Sequence, residues 1–247
     1  MHPSSLRHVQ DLIARYAPAP DTVVDIGSCD VNGSYRSLFP GSRYIGIDME
    51  PGPGVDRVAT RPYRYPVASN SADLVISGQA FEHIEFFWLA WLEMSRIVRR
   101  GGLIFLLAPS RGPEHRYPVD CWRFYPDGFR ALAKWSGVAL LEVTTDWEED
   151  PDPESAPWGD TVGVFRRHRE TPQGRLRRAL LHGALRWLGP AQSETVSEGP
   201  AGIASRPESG ARPLRTQPEG SRGLVPWQGV QRGSAPLALT AAPRTPA

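Results

Sequence analysis

A carboxylate set just before a glycine-bounded turn is the first feature of this sequence that could bind a ligand. Asp25 ends a β-branched run, and the turn from Gly27 to Gly33 opens an amphipathic stretch. A dinucleotide pyrophosphate would bind backbone N–H groups at such a turn, and Asp25 would repel it. A cofactor that carries an ammonium and a sulfonium would be attracted instead. The glycine spacing also departs from G-x-G-x-x-G, which disfavours a nicotinamide or flavin cofactor.

A second group of chemically capable residues lies in the long segment Pro109–Tyr125, which mixes titratable, polar and aromatic side chains. Segments of this kind form lids or substrate pockets. We predict His115 as the base that deprotonates an acceptor hydroxyl, with Asp120 beside it. The alternative is that both residues brace the loop through hydrogen bonds. For His83, next to Glu82, two alternatives remain: the side chain contacts the active site, or it makes a capping contact at the start of a helix.

The elements that must position these residues alternate between strands and helices, which indicates an α/β fold. We expect a Rossmann-like doubly wound sheet that is mostly parallel, with an antiparallel last strand. Ser4 or Ser5 is predicted to cap a first helix that runs to about Tyr16. The other predicted helices start at Ser34, cover Glu82–Arg99 with a C-cap at Arg100-Gly101-Gly102, and run from Pro126 to Lys134. The predicted strands are Val23–Ile26, Arg43–Asp48, Asp56–Ala59, Ser71–Ser77, Leu103–Ala108, Val138–Thr145 and Asp160–Phe165.

Composition limits the partners and the compartment. The chain has 247 residues, 40% hydrophobic residues and a formal net charge of +1, so nothing calls for a nucleic-acid partner. Two cysteines make no disulfide framework, and no secretory or membrane-spanning run occurs, so we expect a cytoplasmic protein. We predict a domain over residues 1–168 (an N-terminal helix in 1–20 and a core in 21–168), a basic amphipathic helix over 169–189 and a disordered tail over 190–247. No His, Asp and Glu cluster is evident, so no metal is expected.

Four segments resemble the class I S-adenosylmethionine-dependent methyltransferases, in particular the methyltransferase type 11 group. Val23–Gly33 is similar to the glycine-loop motif, and Tyr44–Asp48 is similar to the second-strand motif. Ser71–Ile84 and Arg96–Leu103 are similar to the fourth-strand motif and to the turn before the fifth strand. Each motif is common by itself, but the four occur in the family's order and spacing across residues 20–168.

The resemblance implies S-adenosyl-L-methionine as the cofactor. It places the glycine loop along the methionine part of the cofactor and Asp48 on the ribose hydroxyls. The cofactor-binding residues predicted in this way are Asp25, Gly27, Ser28, Gly33, Asp48, Met49 and Gln79.

The sequence departs from the family pattern at two places. Cys29 stands where the glycine motif usually has its middle glycine. The family often has an acid after the third strand that binds the adenine, whereas this chain has Ala59-Thr60-Arg61; Asp56 is the candidate substitute.

The acceptor is predicted from the segment Pro109–Tyr125. Its H-x-x-P-x-D-x-W-R-F-x-P-x-G run resembles type 11 methyltransferases associated with bacterial surface glycans. We therefore expect transfer of a methyl group to a small-molecule or glycan-type acceptor, at oxygen. Two alternatives are a catalytically inactive cofactor-binding regulator of a partner protein and a dinucleotide-dependent oxidoreductase. Residues 175–188 are predicted either to contact an anionic membrane surface or to form a solvated charged helix.

Overall fold

The sheet and its helices follow the alternation that the sequence predicts. The computed structural model describes residues 2–17, 19–61, 63–168 and 172–187; the predicted tail over 190–247 lies outside these ranges. The described elements are α1 (Pro3–Tyr16), β1 (Thr22–Ile26), β2 (Arg43–Asp48), β3 (Arg57–Val58), β4 (Ala72–Gly78), α2 (Phe87–Ile97), β5 (Val98–Pro109), α3 (Pro126–Ser136), β6 (Ala139–Thr145), β7 (Asp160–Arg166) and α4 (Pro172–Trp187).

The seven strands form one sheet in the order β3-β2-β1-β4-β5-β7-β6. β1 pairs in parallel with β2 and β4, and β5 is parallel to β4. β7 is antiparallel to both β5 and β6, so the expected fold class is confirmed. Pro109 at the end of β5 pairs with Asp160 at the start of β7. The ends of β1, β2, β4 and β5 and the start of β7 therefore meet at one edge of the sheet.

Both faces of the sheet are covered, which explains why the central strands are continuously apolar. On one face, Trp91 of α2 and Phe129 of α3 pack in a buried cluster with Phe165 of β7. On the other face, Val9 and Leu12 of α1 belong to a second buried cluster. Successive residues of β5 alternate between the two clusters, so this strand is the centre of the core.

Two predicted helices are shorter than expected. After β1 the chain forms only a 3-10 turn, Tyr35–Leu38. The helix predicted over 82–99 is divided into a 3-10 turn, Phe81–His83, and α2. The indole N–H of Trp122 donates to the carbonyls of Ile84 and Glu85 (3.1 Å each), so a side chain takes the place of a helical partner between the two pieces.

The predicted C-cap at 100–102 is wrong, because α2 ends at Ile97 and β5 begins at Val98. Gly101 has a positive φ of 81° and lies inside β5, where the pairing with β4 changes register. A glycine with positive φ is typical of such a bulge.

Candidate active site

The turn after β1 is tied to β2 at the shared edge of the sheet. The backbone N–H groups of Gly27 and Ser28 both donate to the carbonyl of Ile47, at 2.9 and 3.1 Å. Gly27 has a φ of 80°, and a Cβ at this position would overlap the Cβ of Ala80. Only glycine therefore fits at position 27, where the turn packs against Ala80 in the segment that follows β4.

Asp48, the last residue of β2, fixes the next part of the turn. Its Oδ2 accepts the backbone N–H of Cys29 (2.9 Å) and its Oδ1 accepts that of Met49 (2.7 Å). A carboxylate has about four lone-pair sites, so Asp48 can accept further hydrogen bonds. Asp48 is partly exposed, and the side chain of Met49 beside it is 61% exposed. Asp48 could therefore accept hydrogen bonds from a diol, and Met49 could pack against an apolar ring.

Asp25 lies inside the protein beneath the turn. Its side chain is buried, and its Oδ2 accepts the hydroxyl of Tyr44 at 2.6 Å. Burial raises the pKa of Asp25 to about 7, although the bond from Tyr44 acts in the opposite direction. The contact that the structure gives this carboxyl is thus with β2, and its predicted contact with a cofactor stays a prediction.

The rest of the turn faces the loop that follows β2. The hydroxyl of Ser28 donates to the carbonyl of Gly54 (3.3 Å), and the backbone N–H of Gly33 donates to Asp30 (2.7 Å). The thiol of Cys29 lies against Gly52, where an added Cβ would come within 2.8 Å of the sulfur. The atypical Cys29 side chain is therefore directed at the loop after β2, and burial raises its pKa.

Asp56, the candidate adenine ligand, is held by other partners. It accepts the guanidinium of Arg36 (2.6 Å) and the backbone N–H of Gly46 (2.7 Å). Burial acts in the opposite direction, but these bonds lower the pKa of Asp56. The residue thus completes the edge between β2 and β3.

Gln79 joins the edge of the sheet to α1. Its side-chain amide donates to Ser5 Oγ and to Asp160 Oδ1, both at 2.8 Å. Ser4 and Ser5 also donate to Asp160 Oδ2, at 3.2 and 2.9 Å, so these serines do not cap α1 as predicted; the N-cap residue is His2. Asp160 is fully buried, and burial raises its pKa.

Asp120 braces the segment that follows β5. It accepts the guanidinium of Arg123 at 2.5 and 2.9 Å and the backbone N–H of His115 at 2.8 Å. Burial opposes its ionisation, but these donors lower the pKa of Asp120 to about 2. The alternative of a bracing role thus has direct geometric support for Asp120. The ring Nδ1 of His115 is 3.4 Å from the same carboxylate, and burial lowers the pKa of His115.

The structure brings Glu82, His83 and His115 together, a cluster that the sequence did not predict. One ligand atom from each lies within 4.8 Å of the others. Glu82 is fully buried, and burial raises its pKa to about 8. The rings of His83 and His115 are in edge contact, with centroids 4.7 Å apart. The expectation that no such cluster exists is wrong. His8, Asp146 and Asp160 form a second one.

That Glu82 and His83 form one cluster with His115 was not predicted from the sequence. The available signal was their position: they follow β4 directly, as the segment 109–125 follows β5. Because neighbouring parallel strands end at the same edge of a sheet, the residues that follow β4 and those that follow β5 are expected to lie close together.

Comparisons with known proteins indicate a methyltransferase domain. Residues 24–106 match the family model described as a methyltransferase domain. A protein of Mycobacteroides abscessus described as an uncharacterized methyltransferase is 33% identical over 114 residues, which cover 38% of this chain and 43% of that protein. The chain thus matches less than half the length of this curated relative.

Two solved structures share the fold. One is the 1,6-didemethyltoxoflavin N1-methyltransferase of Burkholderia thailandensis, with bound 1,6-didemethyltoxoflavin and S-adenosylhomocysteine (TM-score 0.53, 14% identity, 67% of this chain and 79% of that one). The other is an N-methyltransferase of Haemonchus contortus with phosphomonomethylethanolamine and S-adenosylhomocysteine (TM-score 0.50, 13% identity, 66% of this chain and 53% of that one).

Proposed function

Because residues 24–106 match a methyltransferase-domain model, we propose that the chain is a class I S-adenosylmethionine-dependent methyltransferase that transfers the sulfonium methyl group of that cofactor to a small-molecule or glycan-type acceptor. The observation that carries the proposal is the position of Asp48 beside the turn after β1. Its carboxylate accepts two backbone N–H groups and can accept further hydrogen bonds, and the exposed side chain of Met49 lies next to it. S-adenosylmethionine presents a ribose diol and an adenine ring, which match these groups. The residues of the site therefore fit the cofactor.

Each predicted cofactor residue has a place in this proposal. Asp48 would accept the ribose hydroxyls, and Met49 would pack on the adenine. The turn from Gly27 to Gly33 would lie along the methionine part. Asp25 would support that turn from below through Tyr44, and Gln79 would hold the neighbouring edge through α1.

The cofactor supplies an activated methyl group, so this chain has to orient the acceptor in line with the sulfur and remove its proton. We propose oxygen as the methylated atom because the imidazole rings of His83 and His115 lie together beside the segment 109–125 and can accept a hydroxyl proton; burial lowers the pKa of both. The two solved structures described above are N-methyltransferases, so a nitrogen acceptor is the competing outcome.

The test is transfer of a deuterated methyl group. The full chain is incubated with S-adenosylmethionine carrying a trideuterated methyl, together with nucleotide-sugars or lipid-linked glycans, and products are identified by mass spectrometry. The proposal predicts one methylated product and an equal amount of S-adenosylhomocysteine, both lost in Asp48→Ala. Binding of the cofactor without any product from all acceptor classes would instead support the inactive regulator. Fragmentation of the product distinguishes oxygen from nitrogen.

Helix α4 is the proposed membrane contact. Leu176 and Leu180 lie one turn apart and are 62% and 63% exposed, in a segment rich in arginine. Apolar side chains next to basic ones favour an anionic surface. No helix among the described residues meets the length and apolarity that crossing a membrane requires. Sedimentation with phosphatidylglycerol vesicles tests the contact: Leu176→Ser with Leu180→Ser should abolish co-sedimentation, and equal sedimentation of both proteins would contradict it.

A further inference from the structure

We propose that Glu82, His83 and His115 form a binding site for one divalent transition-metal ion of the zinc class. The two histidines and the glutamate come from the segments after β4 and β5, and their ligand atoms lie within 4.8 Å of one another. Two imidazoles and one carboxylate are a ligand set of three-coordinate protein zinc sites, which leave a fourth position open. Metal binding as such does not depend on the proposed methyl transfer, but a histidine nitrogen that ligates the ion cannot at the same time act as the base proposed above.

The carboxylate of Glu82 is the strongest indication. Its residue is fully buried, and neither oxygen has a hydrogen-bond partner among the described residues. A buried carboxyl without partners is costly unless it is paired or coordinates a metal. Arg123, the nearby cation, directs its terminal nitrogens to Asp120 and to the carbonyls of Pro113 and Trp122. Both oxygens of Glu82 are thus available to coordinate a cation, as far as the described residues show.

His83 is oriented as a metal ligand would be. Its Nδ1 is 2.6 Å from the carbonyl of Val119, which requires the proton on Nδ1 and leaves a lone pair on Nε2. Ligating histidines commonly donate their other N–H to a backbone carbonyl in this way. Nε2 lies 3.6 Å from Glu82 Oε1. The distance is close to the ligand-to-ligand separation of about 3.3 Å that a tetrahedral zinc ion with bonds near 2.0 Å requires.

His115 completes the set from the other segment. Its buried Nδ1 makes no hydrogen bond to the described residues, although Asp120 Oδ2 lies 3.4 Å away, and its ring contacts that of His83. The second His, Asp and Asp cluster differs in this respect. There His8 is bonded to Asp146 at 2.7 Å, and Asp160 accepts bonds from two serines and Gln79. Its ligand atoms satisfy one another, whereas those of the first cluster do not.

The test is zinc binding by the full chain after treatment with a chelator, measured by calorimetry with no cofactor or acceptor present. Wild type should bind one equivalent of Zn²⁺, and Co²⁺ in its place should give the absorption bands of a tetrahedral site. His83→Gln and His115→Gln should each weaken zinc binding by a factor of at least about 10 to 100. His168→Gln removes an exposed histidine elsewhere and should leave binding unchanged.

Circular dichroism and S-adenosylhomocysteine binding of each variant show that it is folded. Glu82→Gln is the third ligand variant; it keeps the side-chain volume and should also weaken zinc binding. Absence of saturable zinc binding by wild type up to millimolar concentration would overturn the proposal, as would equal zinc affinity in wild type, His83→Gln and His115→Gln. Zinc binding without cofactor binding would contradict only the proposed function.

Discussion

Asp25→Asn tests whether the buried carboxyl beneath the turn is protonated in the folded protein. Its pKa lies near 7, against an ordinary value of 3.8, and burial is the main cause. Between these values the folded protein holds a proton that the unfolded chain has lost. The free energy of unfolding of wild type should therefore fall as the pH rises from about 4 to 7, and this fall should end above 7. The asparagine side chain of the variant does not titrate and can still accept the hydroxyl of Tyr44.

The magnitude follows from the pKa difference. One pKa unit corresponds to about 1.36 kcal/mol, so the whole window is worth about 4 kcal/mol, of which roughly 2–3 kcal/mol falls between pH 5 and pH 8. The assay is urea unfolding at several pH values. The stability of Asp25→Asn relative to wild type should rise by this amount from pH 5 to pH 8. Other titrating groups cancel in the difference. Tyr44→Phe removes the hydroxyl that lowers the pKa of Asp25. In this variant the fall in the free energy of unfolding should therefore extend to higher pH. If the free energy of unfolding of wild type and of Asp25→Asn depended on pH in the same way, the raised pKa of Asp25 would be refuted.

Three further predictions concern the turn, the end of β2 and the segment after β5. Asp48→Asn should weaken S-adenosylhomocysteine binding by about 10- to 100-fold in calorimetry, because a charged acceptor contributes roughly 1.5–3 kcal/mol per bond. Asp56→Asn, the matched control at the edge of β2, should leave the affinity unchanged, and an equal loss would point to the adenine contact. Gly27→Ala should cost more stability in urea than Gly41→Ala. Both have a positive φ, but only Gly27 faces an overlapping side chain, so equal losses would contradict the packing. Arg123→Ala should destabilise the protein by about 2–4 kcal/mol by leaving Asp120 buried without its cation, and faster proteolysis of 109–125 should accompany the loss; unchanged unfolding and proteolysis would contradict the bracing role.

The pattern of apolar runs was sufficient to predict the sheet, because buried parallel strands are nearly continuous in Val, Ile and Leu. All seven strands were predicted within a few residues, apart from the early start of β5. That strand begins at Val98 because a bulge at Gly101 accommodates the residues 100–102 within the strand. The sequence pattern had predicted these residues to be the C-cap of a helix. The short turn at Tyr35–Leu38 and the break before α2 depend on partners far along the chain, such as Trp122, and local periodicity does not contain them.

The site was predictable where its residues follow strands directly. Asp48 and the turn at Gly27 lie at the predicted edge and contact each other through the backbone. Side-chain partnerships between distant segments were not predictable from spacing. Ser5 bonds Asp160 across 155 residues, and His83 meets His115 only because β4 and β5 are neighbours. Through these contacts, the predicted helix-capping serines and the predicted base His115 are parts of larger polar groups.

The central claim is that the edge of the sheet at Gly27 and Asp48 binds S-adenosylmethionine and not a dinucleotide. Thermal unfolding of the full chain with S-adenosylhomocysteine, beside samples with NAD⁺ and NADP⁺, tests it most directly. We expect an upward shift of Tm with S-adenosylhomocysteine alone, equivalent to about 2.7 kcal/mol at roughly 100 times the Kd. A shift with a nicotinamide cofactor, or none with saturating S-adenosylhomocysteine, would contradict the claim.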